Sequence, residues 1–213
     1  MVDIGLSDQL TQQQVADILG AVEQGFDAQL DFTRQLMAYP SLRGQEHHAQ
    51  QFLYQALSGR GYEMDQWAID LAEICEHPGF SPVKVDYENA VNVVATHHPI
   101  NSIGRSLILN GHIDVVPTGP EAMWTKPPFE PTVNGDWLYG RGGADMKAGL
   151  VANLFALDAL RTIGMQPAAR VCLQSVTEEE CTGNGALACL VRGYRADAVL
   201  IPEPEENMLV RAN

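Results

Sequence analysis

The chain has 213 residues, 46% of them hydrophobic, and its 13 basic and 27 acidic residues give a formal net charge of −14. This length and apolar fraction are sufficient for a hydrophobic core, and no stretch approaches the ~18 uninterrupted apolar residues of a membrane span. The negative charge disfavours binding to nucleic acid or to anionic membrane surfaces, and it suits a soluble protein whose site holds cations.

The N-terminus and the cysteines bear on the cellular compartment. Residues 1–5 contain no basic segment leading into an apolar stretch, so no export signal is predicted. The cysteines show no Cys-x-x-Cys spacing, and a chain of this size needs no disulfides; they are Cys75, Cys172, Cys181 and Cys189. We therefore expect reduced thiols in a cytoplasmic protein.

The first part of the chain has a helical pattern. Apolar residues recur at three- and four-residue steps from about Ser7 to Tyr39, which predicts one or two helices that end before Pro40. The same spacing predicts a helix from Gln45 to Ser58, and a strand is predicted near Tyr62 to Ile69. The stretch from Glu73 to Asn89 is rich in proline, glycine and charge and is predicted to be a surface excursion.

Short aliphatic runs then alternate with helical segments. Strands are predicted at Ala90–Thr96, Ser106–Asn110, Trp137–Gly140, Arg170–Val176 and Ala198–Ile201, with a further strand at Met208–Asn213. Helices are predicted at Met146–Ile163 and Gly183–Arg192. This alternation predicts an α/β fold: a doubly wound, mostly parallel sheet with helices on both faces.

Histidine and acidic residues follow the predicted strands in four segments. These segments are Gly111–Asp114, Gly143–Met146, Thr177–Glu180 and Pro202–Pro204. Functional groups of doubly wound sheets gather at the carboxyl ends of the strands, so we expect the four segments to meet there. One imidazole and several carboxylates are ligands that a pair of zinc-like ions prefers. The pattern therefore predicts a metallohydrolase.

Each segment, taken alone, also has a structural interpretation. In the functional interpretation, the carboxylate of Asp114 can accept the second imidazole N–H of His112 and raise its basicity as a ligand. His112 is also compatible with a structural histidine, and Asp145 with an N-cap of the following helix. The glutamates at 178–180 are compatible with a solvated loop, although like charges crowded at a strand end leave one free to act as a general base. Glu203 is compatible with a surface loop. The other histidines are predicted to be solvated; they are His47, His48, His77, His97 and His98.

Together, the segments resemble the metallopeptidase and deacylase family that includes acetylornithine deacetylase, succinyl-diaminopimelate desuccinylase, aminoacylase and the bacterial glutamate carboxypeptidase. The resemblance runs from about Leu36 to the last residue and is sharpest between Leu107 and Gly185. It rests on Gly-His-Ile-Asp-Val-Val-Pro, on a tryptophan followed by Pro-Pro-Phe, on Gly-Arg-Gly-Gly-Ala-Asp-Met-Lys, and on the glutamate run with its downstream glycines. It implies a three-layer fold like that of zinc exopeptidases.

The resemblance also implies a pair of divalent ions, Zn or Co, and two of their ligands. His112 would bind one ion, and Asp114 would orient its imidazole. Asp145 would bridge both ions, and its peptide bond to Met146 would be cis.

The remaining roles depend on the register of the glutamate run. Matching the family's downstream glycine to Gly185 makes Glu179 the general base and Glu180 a ligand of the second ion. A slip of one residue would make Glu178 the base instead. Glu203 would complete the ligand set of the first ion.

Members of this family have a smaller lid and dimerisation domain after this point, and a last histidine ligand near the C-terminus. The resemblance therefore implies that residues 1–213 are the N-terminal portion of an incomplete catalytic domain, nearly inactive alone and homodimeric when full length. The expected substrates are N-acyl amino acids, as for acetylornithine deacetylase or succinyl-diaminopimelate desuccinylase. The alternatives are a dipeptidase or aminopeptidase of the same family, or a non-catalytic metal-binding or assembly domain.

Overall fold

The computed structural model of the protein describes residues 10–205 and Met208. Their helices are α1 (Gln12–Met37), α2 (His47–Ser58), α3 (Leu71–Ile74), α4 (Ala148–Thr162) and α5 (Asn184–Val191). Their strands are β1 (Glu63–Ala68), β2 (Val91–His97), β3 (Leu107–His112), β4 (Thr132–Asn134), β5 (Trp137–Tyr139), β6 (Val171–Val176) and β7 (Ala198–Leu200). The predicted elements within these residues are all present, with shifts of a few residues at their ends.

The central sheet has five strands in the order β1-β2-β6-β3-β7. Strands β6, β3 and β7 are parallel neighbours, whereas β2 is antiparallel to both β1 and β6. Four of the five strands therefore point in the same direction, which confirms the mostly parallel sheet. The strand predicted at Trp137–Gly140 does not belong to this sheet, because β5 pairs only with β4 in a separate hairpin.

Helices cover both faces of the sheet, which confirms the three-layer fold. On one face α1, α2 and α4 enclose the larger core, where Leu53 and Leu154 pack against Val93. On the other face Val94 packs with Cys189 of α5. Successive residues of β2 thus enter opposite cores, which is why the central strands have aliphatic residues on both faces. Each fully buried aliphatic side chain stabilises the fold by about 1.5–3 kcal/mol.

Helix α1 is one continuous helix that begins with a capping box between Thr11 and Gln14. Its apolar spacing correctly predicted a helix, but four of its large apolar residues are between 40% and 63% exposed: Val15, Leu19, Val22 and Phe26. Only the second half of α1 reaches the larger core, through Phe32 and Leu36.

The predicted surface excursion is partly wrong. Ile74 of α3 and Tyr87 are buried, and they pack with Leu187 and Ala188 of α5. His47 and His97 are also half-buried rather than fully solvated. The four cysteines are free thiols, as predicted. The strand predicted at Met208–Asn213 lies outside the continuously described residues. Among the helices that the structure describes, none is long and apolar enough to cross a membrane.

Candidate metal centre

Four segments meet at one edge of the sheet. Three follow strands β3, β6 and β7, as predicted, but Asp145 arrives from the loop after the β4–β5 hairpin. Asp145 lies in a wide turn, Gly143–Lys147, and makes no side-chain cap to α4, so the N-cap interpretation is wrong. The turn requires Gly142, which has φ +74° and whose added Cβ would lie 2.4 Å from a Val115 methyl group. The Asp145–Met146 peptide bond is cis, as the resemblance implied.

The imidazole of His112 is buried and turns its Nε2 atom toward three carboxylates. Nε2 lies 3.0 Å from Asp145 Oδ1, 3.5 Å from Glu203 Oε1 and 3.7 Å from Glu179 Oε2. One ligand atom from each of His112, Asp145 and Glu203 lies within 4.8 Å of the other two. Zinc bonds of about 2.0–2.2 Å in tetrahedral geometry place ligand atoms roughly 3.3–3.6 Å apart. The distances from Nε2 to Asp145 (3.0 Å) and to Glu203 (3.5 Å) are close to this spacing.

The other nitrogen of the His112 ring fixes its orientation. Nδ1 lies 2.9 Å from the main-chain oxygen of Asp114 but 3.6 Å from its Oδ1. The expectation that the Asp114 carboxylate accepts this N–H is therefore wrong, because the nearer acceptor is the carbonyl of the same residue. A carbonyl only accepts, so Nδ1 carries a proton, and Nε2 is the ring nitrogen that faces the carboxylates.

The Asp114 carboxylate instead joins the ends of β3 and β6. It accepts hydrogen bonds from the main-chain N–H groups of Glu179 (3.4 Å) and Glu180 (3.1 Å). Burial raises the pKa of this carboxyl group, and the neighbouring His112 and these two N–H groups oppose the rise. Asp114 thus fixes both the imidazole and the glutamate run.

The three consecutive glutamates occupy different environments. Glu178 is 2% exposed, and its carboxylate binds the Arg43 guanidinium through two contacts of 2.6 Å. Glu179 is half-exposed beside His112. Glu180 is partly buried, and its pKa is raised by burial and then by the charge of Asp145. It does not belong to the set of three converging ligand atoms among the described residues.

Negative charge accumulates around His112. Burial raises the pKa of Glu203 to about 7, and the charges of Asp145, Glu179 and Glu180 add to that rise. Burial opposes protonation of His112, but Asp114 and Glu203 raise its pKa. Carboxylates that repel one another beside an imidazole nitrogen are the donor set and the charge that a divalent cation satisfies. The residues therefore fit the metal that the sequence pattern predicts.

Sequence analysis assigned no role to three residues whose hydrogen bonds stabilise this edge of the sheet: Ser41, Arg43 and Lys147. Ser41 Oγ donates to the Ile113 carbonyl at 2.6 Å, and Arg43 pairs with Glu178. Lys147 is fully buried and donates to the carbonyls of Leu36 and Tyr39, and burial lowers its pKa to about 7. The partners of Ser41 and Arg43 are 72 and 135 positions away, so no local pattern could have found them.

Residues 108–210, which include the described parts of all four segments, match the profile of peptidase family M20/M25/M40. The match confirms the resemblance drawn from the motifs. It covers β3, the turn at Asp145, β6 and β7, which together carry the site.

Similar curated proteins are amide hydrolases. The chain is 34% identical over 193 residues to an N-formyl-4-amino-5-aminomethyl-2-methylpyrimidine deformylase of Halalkalibacterium halodurans, covering 89% of this chain and 41% of that protein. It is 37% identical over 139 residues to a succinyl-diaminopimelate desuccinylase of Alkalilimnicola ehrlichii, covering 63% of this chain and 36% of the relative. The chain thus spans less than half the length of these relatives.

Solved structures share the fold. The dipeptidase Dug1p of Saccharomyces cerevisiae superimposes with a TM-score of 0.66 at 16% identity, over 83% of this chain and 37% of that one. The M20 family metallo-carboxypeptidase Sso-CP2 of Sulfolobus solfataricus gives 0.63 at 21% identity, over 82% and 37%. At such low identity these similarities establish the M20-type fold alone.

Proposed function

We propose that the protein containing this sequence is a metal-dependent hydrolase that removes the acyl group from a small N-acyl amine. The observation that carries this proposal is the convergence of His112, Asp145 and Glu203 within 4.8 Å, beside the half-exposed carboxylate of Glu179. A set of metal ligands next to an accessible carboxylate is the arrangement that amide hydrolysis by metal-activated water requires.

In this proposal His112 and Glu203 would hold the first ion, Glu180 would hold the second, and Asp145 would be a ligand of both. When bound, the two divalent ions, Zn²⁺ or Co²⁺, lower the pKa of water and polarise the amide carbonyl. Glu179 takes the proton of the attacking water and passes it to the leaving amine. Its half-exposed position supports this role, whereas Glu178 is engaged by Arg43.

Asp114 has an orienting role in the proposed reaction. Its main-chain oxygen holds Nδ1 of His112, and its carboxylate holds the N–H groups of Glu179 and Glu180. The lone pair of Nε2 and the carboxylate of the base are thereby fixed relative to each other before substrate binds, which reduces the reorganisation needed in the transition state.

For the substrate we propose an N-acyl amino acid, as the name of the desuccinylase relative suggests. The second candidate is an N-formylated aminomethylpyrimidine, because two deformylases are 34% and 29% identical over 89% and 91% of this chain. The peptidases among the solved structures share only the fold, so a peptide substrate has less support.

We also propose that residues 1–213 are the N-terminal portion of the catalytic domain of a cytoplasmic, homodimeric enzyme, completed by a lid domain and further catalytic-domain residues. The relatives, of which this chain spans 41% and 36%, are long enough for such an arrangement. On this proposal the 213-residue chain alone has little or no turnover.

The test uses the complete natural gene product, stripped of metal with a chelator and reloaded with Zn²⁺ or Co²⁺. It is assayed on N-formyl-4-amino-5-aminomethyl-2-methylpyrimidine, N-succinyl-diaminopimelate, N-acetylornithine and a dipeptide. We expect metal-dependent release of acyl group from one of the first three substrates. Hydrolysis of the dipeptide alone would make the protein a peptidase, and metal binding without any hydrolysis would make it a non-catalytic metal-binding protein.

A further inference from the structure

An ion pair between the partly exposed Arg43 and the buried Glu178 lies next to the proposed general base. We propose that Arg43 and Tyr87 are positioning residues for Glu179: by clamping the carboxylate of Glu178, they hold the turn that presents the base. This inference rests on the role of Glu179 in the proposed function, and it adds two residues that lie outside the four motif segments.

The clamp consists of Arg43, Tyr87 and Thr182, whose hydrogen-bond donors surround the Glu178 carboxylate. Arg43 donates from Nε to Oε1 and from Nη2 to Oε2, both at 2.6 Å, and the Tyr87 hydroxyl donates to Oε2 at 2.5 Å. Thr182 Oγ1 adds a fourth contact at 3.2 Å. Two-point arginine–carboxylate pairs fix orientation as well as charge. Glu178, at 2% exposure, is therefore held by four contacts from three separate connecting segments of the chain.

The backbone of Glu178 has an unfavourable conformation, and the clamp holds the residue in it. Glu178 has φ +66° and is the one non-glycine residue with a positive φ in the described part of the chain. A residue with a side chain occupies this left-handed region at a free-energy cost and remains there only where its surroundings hold it. Its carbonyl accepts hydrogen bonds from the N–H groups of Thr182 (2.9 Å) and Gly183 (2.8 Å), which close the turn.

Because Glu178 is held in this turn, the next two residues, Glu179 and Glu180, are restrained as well. Immediately after Glu178, the N–H groups of Glu179 and Glu180 both donate to Asp114, whose main-chain oxygen contacts Nδ1 of His112. The clamp on one side of the turn and Asp114 on the other thus fix the direction in which the Glu179 side chain leaves the backbone. If Glu178 relaxed to a negative φ, the two N–H groups would turn away from Asp114.

Arg43 and Tyr87 come from segments that the strand-end motifs do not include. Arg43 lies in the connection between α1 and α2, and Tyr87 lies in the segment between α3 and β2, where Asn184 of α5 donates to its hydroxyl at 3.1 Å. Neither residue is among the contacts of His112. Their effect on the reaction therefore passes through Glu178 and the turn.

The activity test uses Arg43→Lys, which keeps the charge but loses the two-point geometry, and Tyr87→Phe, which removes one donor and keeps the ring. Arg34→Lys is the matched control, because Arg34 pairs with Asp31 on the surface of α1. We expect Arg43→Lys to lower kcat by about 10- to 100-fold with KM nearly unchanged, as for partners that orient catalytic groups. Tyr87→Phe should have a smaller effect in the same direction, and Arg34→Lys none.

A double-variant cycle shows whether Arg43 acts through the base. In a Glu179→Gln background, Arg43→Lys should reduce the residual turnover by less than twofold. A full additional 10- to 100-fold loss there, or a raised KM with unchanged kcat in the single variant, would overturn the proposal; the raised KM would make Arg43 a substrate-binding residue.

Amide hydrogen exchange, read by NMR on the complete gene product, tests the clamp without an activity assay. Arg43→Lys should accelerate exchange of the Glu179 and Glu180 N–H groups at least tenfold while leaving those of β6 protected. Unchanged protection at both positions would overturn the proposal. If the clamp is found by exchange but the wild-type gene product hydrolyses no amide, the proposed function fails and the clamp on the turn stands.

Discussion

The site has two parts that differ in how their polar groups are satisfied. The inner group is buried and bonded within the protein, and it consists of His112, Asp114 and Glu178. The outer group is partly exposed and consists of Asp145, Glu179, Glu180 and Glu203. In the inner group each polar side chain meets a partner of complementary character, whereas the outer group brings like charges together.

Hydrogen bonds within the fold hold the inner group in place, whereas a bound cation would be needed to compensate the charges of the outer group. The inner group keeps its geometry through hydrogen bonds that do not involve a ligand. In the outer group burial and the neighbouring carboxylates raise the pKa of Glu203 to about 7, so this group is held together against electrostatic repulsion. Changes in the outer group should therefore affect function more than stability.

The largest expected effect is on turnover in Glu179→Gln of the complete gene product. Loss of a general base costs about 10²- to 10⁴-fold in rate. Metal content should not change, because Glu179 is not proposed to be a ligand. Glu180→Gln is the comparison variant and should instead lower metal occupancy, measured by elemental analysis after dialysis. An exchange of the two phenotypes would shift the register of the glutamate run by one residue.

Glu203→Gln should separate stability from metal binding. In metal-free protein at pH 8 the substitution removes one of the repelling charges, so we expect an equal or higher melting temperature. In the presence of Co²⁺ or Zn²⁺ the dissociation constant should rise at least tenfold, because a neutral amide is a weaker ligand than a carboxylate. Thermal melts and metal titrations on the same samples measure both. A fall in metal-free stability would mean that Glu203 belongs with the inner group.

Gly149→Ala tests how Glu203 is positioned. Gly149 lies in the first turn of α4, and an added Cβ would lie 2.4 Å from the Pro202 carbonyl oxygen, next to Glu203. Alanine in a helix is favoured over glycine by about 1 kcal/mol, and Gly20→Ala in α1, with no atom within 4 Å of the new methyl group, should show that gain. Gly149→Ala should instead lower both the melting temperature and the metal affinity. A stabilisation equal to that of Gly20→Ala would show that Pro202 moves freely.

A further expected effect concerns Glu46, a buried carboxyl group that differs from the inner group because neither of its oxygens has a hydrogen-bond partner. Burial raises its pKa to about 7, and the charges of Asp114 and Glu178 contribute. Between pH 4.5 and 7 the unfolded chain is ionised at this position while the folded chain retains the proton, so stability falls as pH rises through this window.

The Glu46→Gln variant cannot ionise at this position, so its stability should not fall with pH in this way. The variant should be more stable than the wild type by about 1–3 kcal/mol at pH 8 and nearly equal to it at pH 4. Denaturant unfolding at both pH values measures the difference. Equal stability at pH 8 would mean that an unobserved partner, such as ordered water, satisfies the carboxylate.

Local sequence predicted part of this arrangement and missed the rest for identifiable reasons. Strands β3 and β6 were predictable because both have aliphatic residues on both faces, and His112 was recognisable because it lies at the end of such a strand. The reversed direction of β2 carries no local signal. The contact of His112 with the carbonyl of Asp114 rather than with its carboxylate depends on main-chain geometry, which side-chain alternation does not encode. Tyr87 was missed because its partner Glu178 is 91 positions away.

In the 213-residue chain, the short strand β7 has a consequence for how fast a metal could enter or leave. It pairs with β3 through three residues, all exposed, and in the described part of the chain it has no neighbour on its other side. Its local opening would withdraw Glu203 while β3 and β6 stay folded with His112 and Glu179. Ion exchange should then follow fraying of one sheet edge, with little dependence on denaturant, and a dependence as steep as that of global unfolding would exclude this route.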